Sequence, residues 1–346
     1  MARIIVSILS NHSVPNFLFI KEMEGQYDRH LFVTSPEIGQ LGRKGQLIKA
    51  LGITQQDVTI ISVDGNDYLS AIATLTDKWQ EDEDNNYIVN LTGGTKMMSL
   101  AVHDFFKNKR AEFYYVPLGK NEYYNLGTGK KTPLKYRVNL REYFSLYGIR
   151  FESKAEDTFV HPESETMGIF ESVQKSHFYL PKKLRDAQKA ATPELRRYLG
   201  GGEWFEEFSY FKLKEAFNLR DEDIAVSLKI YRENESTKND NELDVAFMFN
   251  NVLYVVECKV TMTGYGRDTK LVVDDYLYKL AAISKDFGLQ VSAYIFTLHR
   301  MQTFSDEVKL NFLNRCRILG IKGIVTGKMF SNIKASLFNK QALSKL

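Results

Sequence analysis

Through its first 150 residues the sequence alternates between short apolar runs and segments whose apolar residues have helical spacing. The strand-like runs are RIIVSIL, RHLFVTS, DVTIISV and NYIVNLTGG, and a helical segment follows each; the second of these helices is PEIGQLGRKGQLIKALG. Strands that alternate with helices are typical of a mostly parallel sheet with helices on both faces. The pattern predicts a Rossmann-like α/β domain, which ends in a hairpin formed by AEFYYVPLG and NEYYNLG.

The length of the chain, 346 residues, favours two domains. The alternation weakens between residues 151 and 202, where PKKLRDAQKAATPELRRYLGGG is polar and basic and ends in three glycines. We interpret 151–202 as connecting helices between a first domain, 1–150, and a second domain, 203–346.

Cysteine usage and hydropathy narrow the classes of protein to consider. The two cysteines, Cys258 and Cys316, argue against a disulfide scaffold and a cysteine zinc site, and they fit a reducing cytoplasm. No run of about 18 apolar residues is present, so no transmembrane helix is expected. The opening MARIIVSILSNHSVPN is interpreted as a first strand rather than a signal peptide, because it has one basic residue and no small-residue cleavage site.

The second domain contains a hairpin that brings charges together. Its segments follow the order helix, three strands, helix, strand, and ELDVAFMFNNVLYVVECKV supplies two of the strands across a tight turn at Asn250–Asn251. That turn predicts pairing between positions whose numbers sum to 501, so Asp244 faces Glu257. Glu257 and Lys259 share one face of their strand, because side chains alternate along a strand.

Two carboxylates side by side repel each other unless one is protonated or a cation lies between them. A hard divalent ion such as Mg²⁺ or Mn²⁺ suits Asp244 and Glu257, and it can activate a water and stabilise charge on a phosphoryl oxygen. Lys259 can orient or deprotonate that water or neutralise the developing charge. The alternative is a surface Glu–Lys pair at the end of a strand.

The hairpin, with Asp244 followed by Glu257, Cys258 and Lys259, resembles the PD-(D/E)xK nuclease core of restriction-endonuclease-like folds. The predicted order of helices and strands matches that family. The resemblance implies a glutamate from the first helix, here Glu206 of GEWFEEF, and metal ligation by Asp244, Glu257 and the carbonyl of Cys258. The proline of the family name is absent, because Leu243 precedes Asp244.

In the first domain, NLTGGTKMMSL joins a strand to a helix through a loop of small residues. Gly93 and Gly94 allow close backbone approach, Thr95 can cap the helix, and the helix N-terminus with Lys96 can receive an anion. The spacing matches neither a Walker loop nor a GxGxxG fingerprint. The alternative is a plain glycine turn into a helix.

The segments ILSNHSVPN, LFVTS and NLTGGTKMM together resemble the CARF domain, the sensor module of type III CRISPR systems. The resemblance implies a homodimer that binds a cyclic oligoadenylate at loops on one sheet edge, and we predict cyclic tetra-adenylate as that ligand. The candidate ligand-binding residues are Ser10, Asn11, His12, Thr34, Ser35, Thr92, Gly93, Gly94, Thr95, Lys96 and Met97.

A CARF domain followed by a PD-(D/E)xK domain implies an antiviral, metal-dependent nuclease that cuts DNA, RNA or both after the cyclic oligoadenylate binds. One alternative is a ligand-responsive regulatory protein whose nuclease fold is inactive, although the second domain shows no helix-turn-helix pattern. Another is a CARF domain that degrades its own ligand through Ser10, His12 and Thr95.

The segment from Val308 to Leu346 carries eight Lys or Arg and no acidic residue. Charge alone favours a solvated basic helix over a nucleic-acid groove. In a groove, aromatic side chains of this region could stack on bases, although core packing is the favoured interpretation; the candidates are Phe304, Phe312 and Phe330. Tyr276 and Lys279, on the helix after the Glu257 strand, are candidates to approach the cleaved phosphate.

Overall fold

The computed structural model describes residues 1–40, 42–80, 84–159, 161–176, 186, 192–232, 241–260, 269–288, 291–299 and 306–338. The chain divides into two units, Met1–Ile149 with Gly288–Gln290, and Arg150–Phe287 with Val291–Leu346. Of the described helices, none is both long and apolar enough to cross a bilayer.

The first unit is a seven-stranded sheet with strand order β3-β2-β1-β4-β5-β6-β7. The first five strands are parallel, β5 and β6 form the predicted antiparallel hairpin, and β7, which was not predicted, adds a further antiparallel strand. The strands are β1 (Arg3–Ile8), β2 (Arg29–Thr34), β3 (Val58–Ser62), β4 (Asn86–Asn90), β5 (Arg110–Tyr115), β6 (Glu122–Asn125) and β7 (Lys131–Pro133).

Five of the described helices of the first unit lie between its parallel strands, as expected for parallel pairing, and a sixth follows β7. They are α1 (Val14–Glu22), α2 (Pro36–Gln40), α3 (Arg43–Leu51), α4 (Tyr68–Lys78), α5 (Lys96–Phe106) and α6 (Leu140–Ser145). The second predicted helix is therefore two helices, and that prediction was wrong. Gly42, between them, has φ +70°, a left-handed value that a continuous α-helix does not contain.

The second unit is a six-stranded sheet with strand order β13-β12-β11-β10-β9-β8. β10 runs antiparallel to β9 and β11, and β11, β12 and β13 are parallel. The strands are β8 (Ile149–Lys154), β9 (Ile224–Arg232), β10 (Asn241–Phe249), β11 (Val252–Lys259), β12 (Val291–Thr297) and β13 (Gly323–Thr326).

The helices of the second unit are α7 (Glu163–Lys175), α8 (Pro193–Arg196), α9 (Glu203–Phe217), α10 (Thr269–Asp286), α11 (Asp306–Ile318) and α12 (Ile333–Phe338). The predicted order from α9 through β12 is confirmed. The unit also takes in part of the segment interpreted as a connection between domains. β8 extends its sheet, and Phe170 and Val173 of α7 are buried in the same apolar cluster as Trp204 and Phe208 of α9.

Candidate active site and ligand-binding edge

The β10–β11 hairpin carries three of the predicted catalytic residues. Its register pairs Val245 with Val256 and Phe249 with Val252, so the predicted sum of 501 is confirmed. Asn250 and Asn251 form the turn with φ values of +51° and +61°, as a two-residue hairpin of the type I′ class requires. This register brings Asp244 of β10 to the end of β11.

Lys259 binds both strands of the hairpin at once. Its Nζ lies 2.7 Å from Glu257 Oε1, 3.0 Å from Asp244 Oδ2 and 3.0 Å from the carbonyl oxygen of Cys258. The amide of Cys258 donates to the same Asp244 oxygen at 2.7 Å. Three oxygen atoms therefore converge on one cationic group beside a buried carboxylate, since Glu257 is 2 % exposed.

Glu206 approaches this cluster from the first turn of α9. Its Oε2 accepts a hydrogen bond from Ser227 Oγ of β9 at 3.0 Å. Glu206, Ser227 and Asp244 line a cavity of about 840 Å³ within the second unit. Basic side chains on the same cavity wall are Lys154, Arg197, Lys229 and Lys279. The cavity combines acidic groups with cations that can contact a polyanion.

The electrostatics of the cluster follow from burial and from like charges. Burial, reinforced by the charge of Asp244, raises the pKa of Glu206 to about 8. The same two causes raise the pKa of Glu257. Asp244 and Glu257 raise the pKa of Lys259 against the opposing effect of burial. Lys259 is therefore a cation that compensates part of an excess of negative charge.

The donor set fits a hard divalent cation. Asp244, Glu257 and the Cys258 carbonyl present the carboxylate and carbonyl oxygens that Mg²⁺ and Mn²⁺ accept, and their oxygens already surround one cationic group. No three His, Cys, Asp or Glu side chains within the described ranges are grouped closely enough to hold a metal by themselves. An ion here would depend on main-chain oxygen and water as well as carboxylates.

The raised pKa of Glu206 predicts that the metal-free protein loses stability as the pH rises from about 4.5 to about 8. In that window the folded protein holds a proton on Glu206 that the unfolded chain has released, so rising pH favours unfolding. Glu257 contributes with the same sign. One such proton changes the free energy of unfolding by at most about 1.4 kcal/mol per pH unit. Melting temperatures measured in chelator across this range check the slope.

Two substitutions on α9 test whether Glu206 causes this pH dependence of stability. Glu206→Gln removes the titrating group and is expected to flatten the pH dependence. Glu215→Gln removes an exposed acid of α9 that pairs with Lys212 at 2.8 Å, and it is expected to leave the slope unchanged. A slope as steep in Glu206→Gln as in the parent would contradict the assignment, whereas a smaller residual slope is expected from Glu257.

The structure places the residues predicted to contact the cleaved phosphate or to stack on bases in different environments. Lys279 Nζ lies 3.8 Å from Glu257 Oε1, and the ring of Tyr276 lies 5.0 Å below Lys259 Nζ, so both reach the cluster. Phe312 and Phe330 are buried, 6 % and 4 % exposed, which confirms core packing and makes base stacking by them wrong. Phe304 lies outside the described residues.

In the first unit, the candidate ligand-binding loops lie at one edge of the sheet. β2, β1 and β4 are parallel neighbours, so the loops that follow them leave from the same side. The strand order reverses between β1 and β4, where crevices that bind ligands form in open α/β sheets. The predicted common edge is confirmed by this topology.

The candidate ligand-binding residues divide by exposure. The exposed group is Asn11, Gly94, Thr95, Lys96 and Met97, and Ser10 and His12 are half-buried. The second group supports the loops from below: Thr34 and Ser35 are buried, Gly93 is buried, and Thr92 accepts the amide of Val116 at 2.8 Å. The exposed and half-buried residues are therefore accessible to a ligand, whereas the buried residues and Thr92 form the scaffold of the loops.

Two buried asparagines hold the loops after β1 and β4 together. Asn16 Nδ2 donates to the carbonyl of Ile8 at 2.8 Å, and Asn90 Nδ2 donates to Asn16 Oδ1 at 2.9 Å. Gly93 packs against the same carbonyl, so closely that a Cβ atom there would lie 1.9 Å from it. Thr95 accepts from the amide of Met98 at 3.2 Å and caps α5, as predicted.

Sequence reasoning missed several residues of these sites. Asn16 and Asn90 could have been noticed, because each is a polar residue inside an apolar stretch. Arg43 carries no sequence signal, yet it lies close enough to His12 to lower the pKa of that imidazole in addition to the effect of burial. Ser227 and the basic wall of the cavity could not have been found, because their positions depend on the fold.

Two family models match the chain. The Card1 CARF domain matches residues 4–143, and the Card1-like endonuclease domain matches residues 193–343. The curated proteins contain no significant match. The two matched ranges carry the ligand-binding edge and the carboxylate cluster, respectively.

Solved structures share the fold of the whole chain. Protein VC1899 from Vibrio cholerae is 17 % identical with a TM-score of 0.74, over 99 % of this chain and 98 % of that one. Can2 from Sulfobacillus thermosulfidooxidans, solved with cyclic tetra-adenylate, is 19 % identical with a TM-score of 0.69, over 99 % of both chains. A type III CRISPR defence DNA nuclease activated by cyclic oligoadenylate is 16 % identical with a TM-score of 0.55, over 86 % of this chain and 45 % of that one.

Proposed function

From the premise that the chain belongs to the Card1 family, with a CARF domain followed by a Card1-like endonuclease domain, we propose that it is a nuclease activated by a cyclic oligoadenylate in type III CRISPR defence. The observation that carries the proposal is the convergence of Asp244, Glu257 and Cys258 oxygens on Lys259, next to a cavity that Asp244 and Glu206 line. This arrangement is suited to phosphodiester hydrolysis.

The proposed activator is cyclic tetra-adenylate, the ligand of the Can2 structure. A ring of phosphodiesters needs positive charge and free backbone donors at its site. Lys96 and the N-terminus of α5, an 11-residue helix, provide both at the exposed part of the sheet edge. The ligand can activate the enzyme only by binding the active state more tightly than the inactive one.

We propose Mg²⁺ or Mn²⁺ as the metal, held by Asp244, Glu257 and the Cys258 carbonyl. When bound, such an ion lowers the pKa of a water and stabilises negative charge on a phosphoryl oxygen. The amide of Cys258 fixes the Asp244 carboxylate by donating to Oδ2. Burial of Glu257 keeps water from competing for its oxygens.

The other side chains of the site have distinct proposed roles. Lys259 remains charged and can orient the attacking water or neutralise the developing charge on phosphorus. Lys279, 39 % exposed, is placed to contact a substrate phosphate from the side of Glu257. Glu206, with a pKa of about 8 in the metal-free protein, can accept a proton from water once cations nearby favour its ionised form.

The proposed substrate is DNA, RNA or both. Lys229 and Arg197 are exposed and line the same cavity as Asp244 and Glu206. Exposed cations beside a carboxylate cluster can hold the phosphates that flank the cleaved bond. The acidic groups alone would repel a polyanion, so this wall supports a nucleic-acid substrate.

We also propose that the protein is a homodimer. Leu69 of α4 and Met97 and Leu100 of α5 are 73 %, 44 % and 55 % exposed. The helices that carry them pack against each other, so the apolar side chains lie on one part of the first unit. Contact with a second copy would remove this apolar surface from water.

Cleavage of labelled single- and double-stranded DNA and RNA, with Mn²⁺ or Mg²⁺ and with or without cyclic tetra-adenylate, tests the proposal. Cleavage that requires both ligand and metal supports it and identifies the substrate. If the protein binds the ligand but cleaves nothing under these conditions, the cleavage assay is repeated with cyclic hexa-adenylate. Absence of cleavage with that ring as well would support a regulatory protein whose nuclease fold is inactive.

Lys96→Ala is expected to weaken binding of cyclic tetra-adenylate by about 10-fold, because one charge-assisted contact to a phosphate is lost. Lys107→Ala is the matched control, since Lys107 follows the other end of the same helix and pairs with Asp104 at 3.2 Å. Titration calorimetry on the full chain measures both affinities. Equal affinity of Lys96→Ala and the parent would remove Lys96 from the ligand site.

A further inference from the structure

Ser227 has a backbone conformation that its sequence does not favour. It lies in the middle of β9, yet its φ is +50°. The other non-glycine residues with positive φ in the described part of the chain are Asn218, Asn250 and Asn251, and asparagine tolerates the left-handed region far better than serine does. Selection for stability alone would favour glycine at this position.

The unusual backbone occurs where β9 faces the carboxylate cluster. Leu228 pairs with Leu243 and Val226 pairs with Val245, so the register sets Ser227 opposite Asp244. A residue that leaves the extended conformation inside a strand can direct its side chain differently from its neighbours. The hydroxyl of Ser227 donates to Glu206 Oε2 at 3.0 Å, and both residues line the active-site cavity.

Glu206 needs such a donor to stay in place. The charges of Asp244 and Glu242 disfavour the ionised form of its carboxylate, and the charge of Lys259 favours it. Glu206 is in the first turn of α9, where a long side chain has rotamers that turn away from the cluster. The hydrogen bond from Ser227 opposes that rotation.

We infer that Ser227 is a positioning residue whose hydroxyl, presented by a left-handed backbone, holds the Glu206 carboxylate beside Asp244. The inference rests on the proposed nuclease function for its effect on catalysis. Strain at functional sites persists when the surrounding structure enforces it, and here the two flanking register pairs provide that enforcement. Ser227 contacts Glu206 and acts through it, without itself needing to touch the substrate.

Three substitutions in the full-length protein distinguish a role of Ser227 in positioning the Glu206 carboxylate from a role in the stability of the fold. Ser227→Ala and Ser227→Gly both remove the hydroxyl, and each is expected to lower kcat by about 10-fold with KM changed less than about 2-fold. Ser227→Gly also relieves the backbone, so its melting temperature is expected to lie about 2–4 °C above that of Ser227→Ala. Ser227→Thr retains the hydroxyl and is expected to recover most of kcat, although a β-branched residue is less stable at this φ.

Activity that follows stability, with Ser227→Gly at least as active as the parent, would overturn the inference. So would parent-like kcat in both Ser227→Ala and Ser227→Gly. Ser227→Gly is expected to be more stable than Ser227→Ala and yet equally impaired in kcat, a combination that a purely structural role for Ser227 does not produce.

An infrared measurement on the metal-free protein keeps this test separate from the proposed function. The carboxyl band that Glu206→Gln removes is assigned to Glu206, and it is expected to shift in Ser227→Ala and stay near its parent position in Ser227→Thr. If the parent protein cleaves no nucleic acid, the nuclease proposal is wrong, but the infrared band of Glu206 still tests whether Ser227 hydrogen-bonds to this carboxylate. An unshifted band in Ser227→Ala would overturn the positioning role whatever the activity.

Discussion

Glu257→Gln is expected to lower kcat for nucleic-acid cleavage by about 10³-fold, the largest effect of any single substitution in the carboxylate cluster. The amide has nearly the same shape as the carboxylate but lacks its charge. It therefore removes one anionic oxygen ligand and the 2.7 Å partner of Lys259. Steady-state rates on the substrate identified in the cleavage experiment, with saturating cyclic tetra-adenylate and Mn²⁺, measure the loss.

The same substitution is not expected to unfold the protein. Burial and the charge of Asp244 raise the pKa of Glu257, so its ionised form is disfavoured in the metal-free fold. A neutral side chain of the same size removes that repulsion, and the melting temperature in chelator should match or exceed that of the parent. Binding of cyclic tetra-adenylate should also be unchanged, since its proposed residues all lie in the first unit.

Glu222→Gln is the matched control for this prediction. Glu222 is an acid of the same unit whose side chain is 51 % exposed and pairs with Arg220. Its variant should cleave at the parent rate. If Glu257→Gln also cleaves at the parent rate, the hairpin carboxylates are not the catalytic groups.

The hairpin shows why part of this site was predictable. A two-residue turn at Asn250–Asn251 determines the register of both strands, and asparagine is one of the few residues that accepts the left-handed values found there. Once the turn is located, the proximity of Asp244 to Glu257 follows by counting, and the network around Lys259 agrees with it. Local sequence therefore determined a long-range geometry.

Other features depend on contacts that leave no local pattern. β8 joins the second sheet from a segment whose alternation was too weak to predict. α7 becomes part of the core by burying Phe170 and Val173, and the ring of Phe170 stacks on that of Phe208 with centroids 3.9 Å apart. Ser227 occupies a left-handed conformation that its own residue type disfavours. In each case the neighbouring elements decide the structure, so propensity and periodicity give no signal.

Gly93→Ala is expected to have the second-largest effect, on the sensor rather than on the catalytic cluster. A Cβ at position 93 would lie 1.9 Å from the carbonyl oxygen of Ile8 and 3.1 Å from Asn16 Nδ2. Neither group can yield cheaply, because the carbonyl belongs to central strand β1 and accepts the Asn16 hydrogen bond at 2.8 Å. The loop after β4 must therefore move away from β1.

Such overpacking costs about 1–3 kcal/mol in ordinary cores, and we expect at least about 2 kcal/mol here because the clash is with backbone. The displaced loop carries Gly94, Thr95 and Lys96, so the affinity for cyclic tetra-adenylate should fall by about 100-fold or more. Ligand titrations followed by melting temperature test both effects: the variant should melt lower than the parent, and the ligand should raise its melting temperature far less.

Gly45→Ala is the control within the same unit. Gly45 lies in α3, its φ is not positive, and a Cβ added there would have no other atom within 4 Å, so alanine should stabilise the helix by about 0.5–1 kcal/mol. Gly93→Ala should retain any cleavage that the parent shows without ligand, because the carboxylate cluster lies in the other unit. A Gly93→Ala protein that melts and binds like the parent would mean that the loop can shift without cost, and the close packing of Gly93 on β1 would then have no part in building the ligand site.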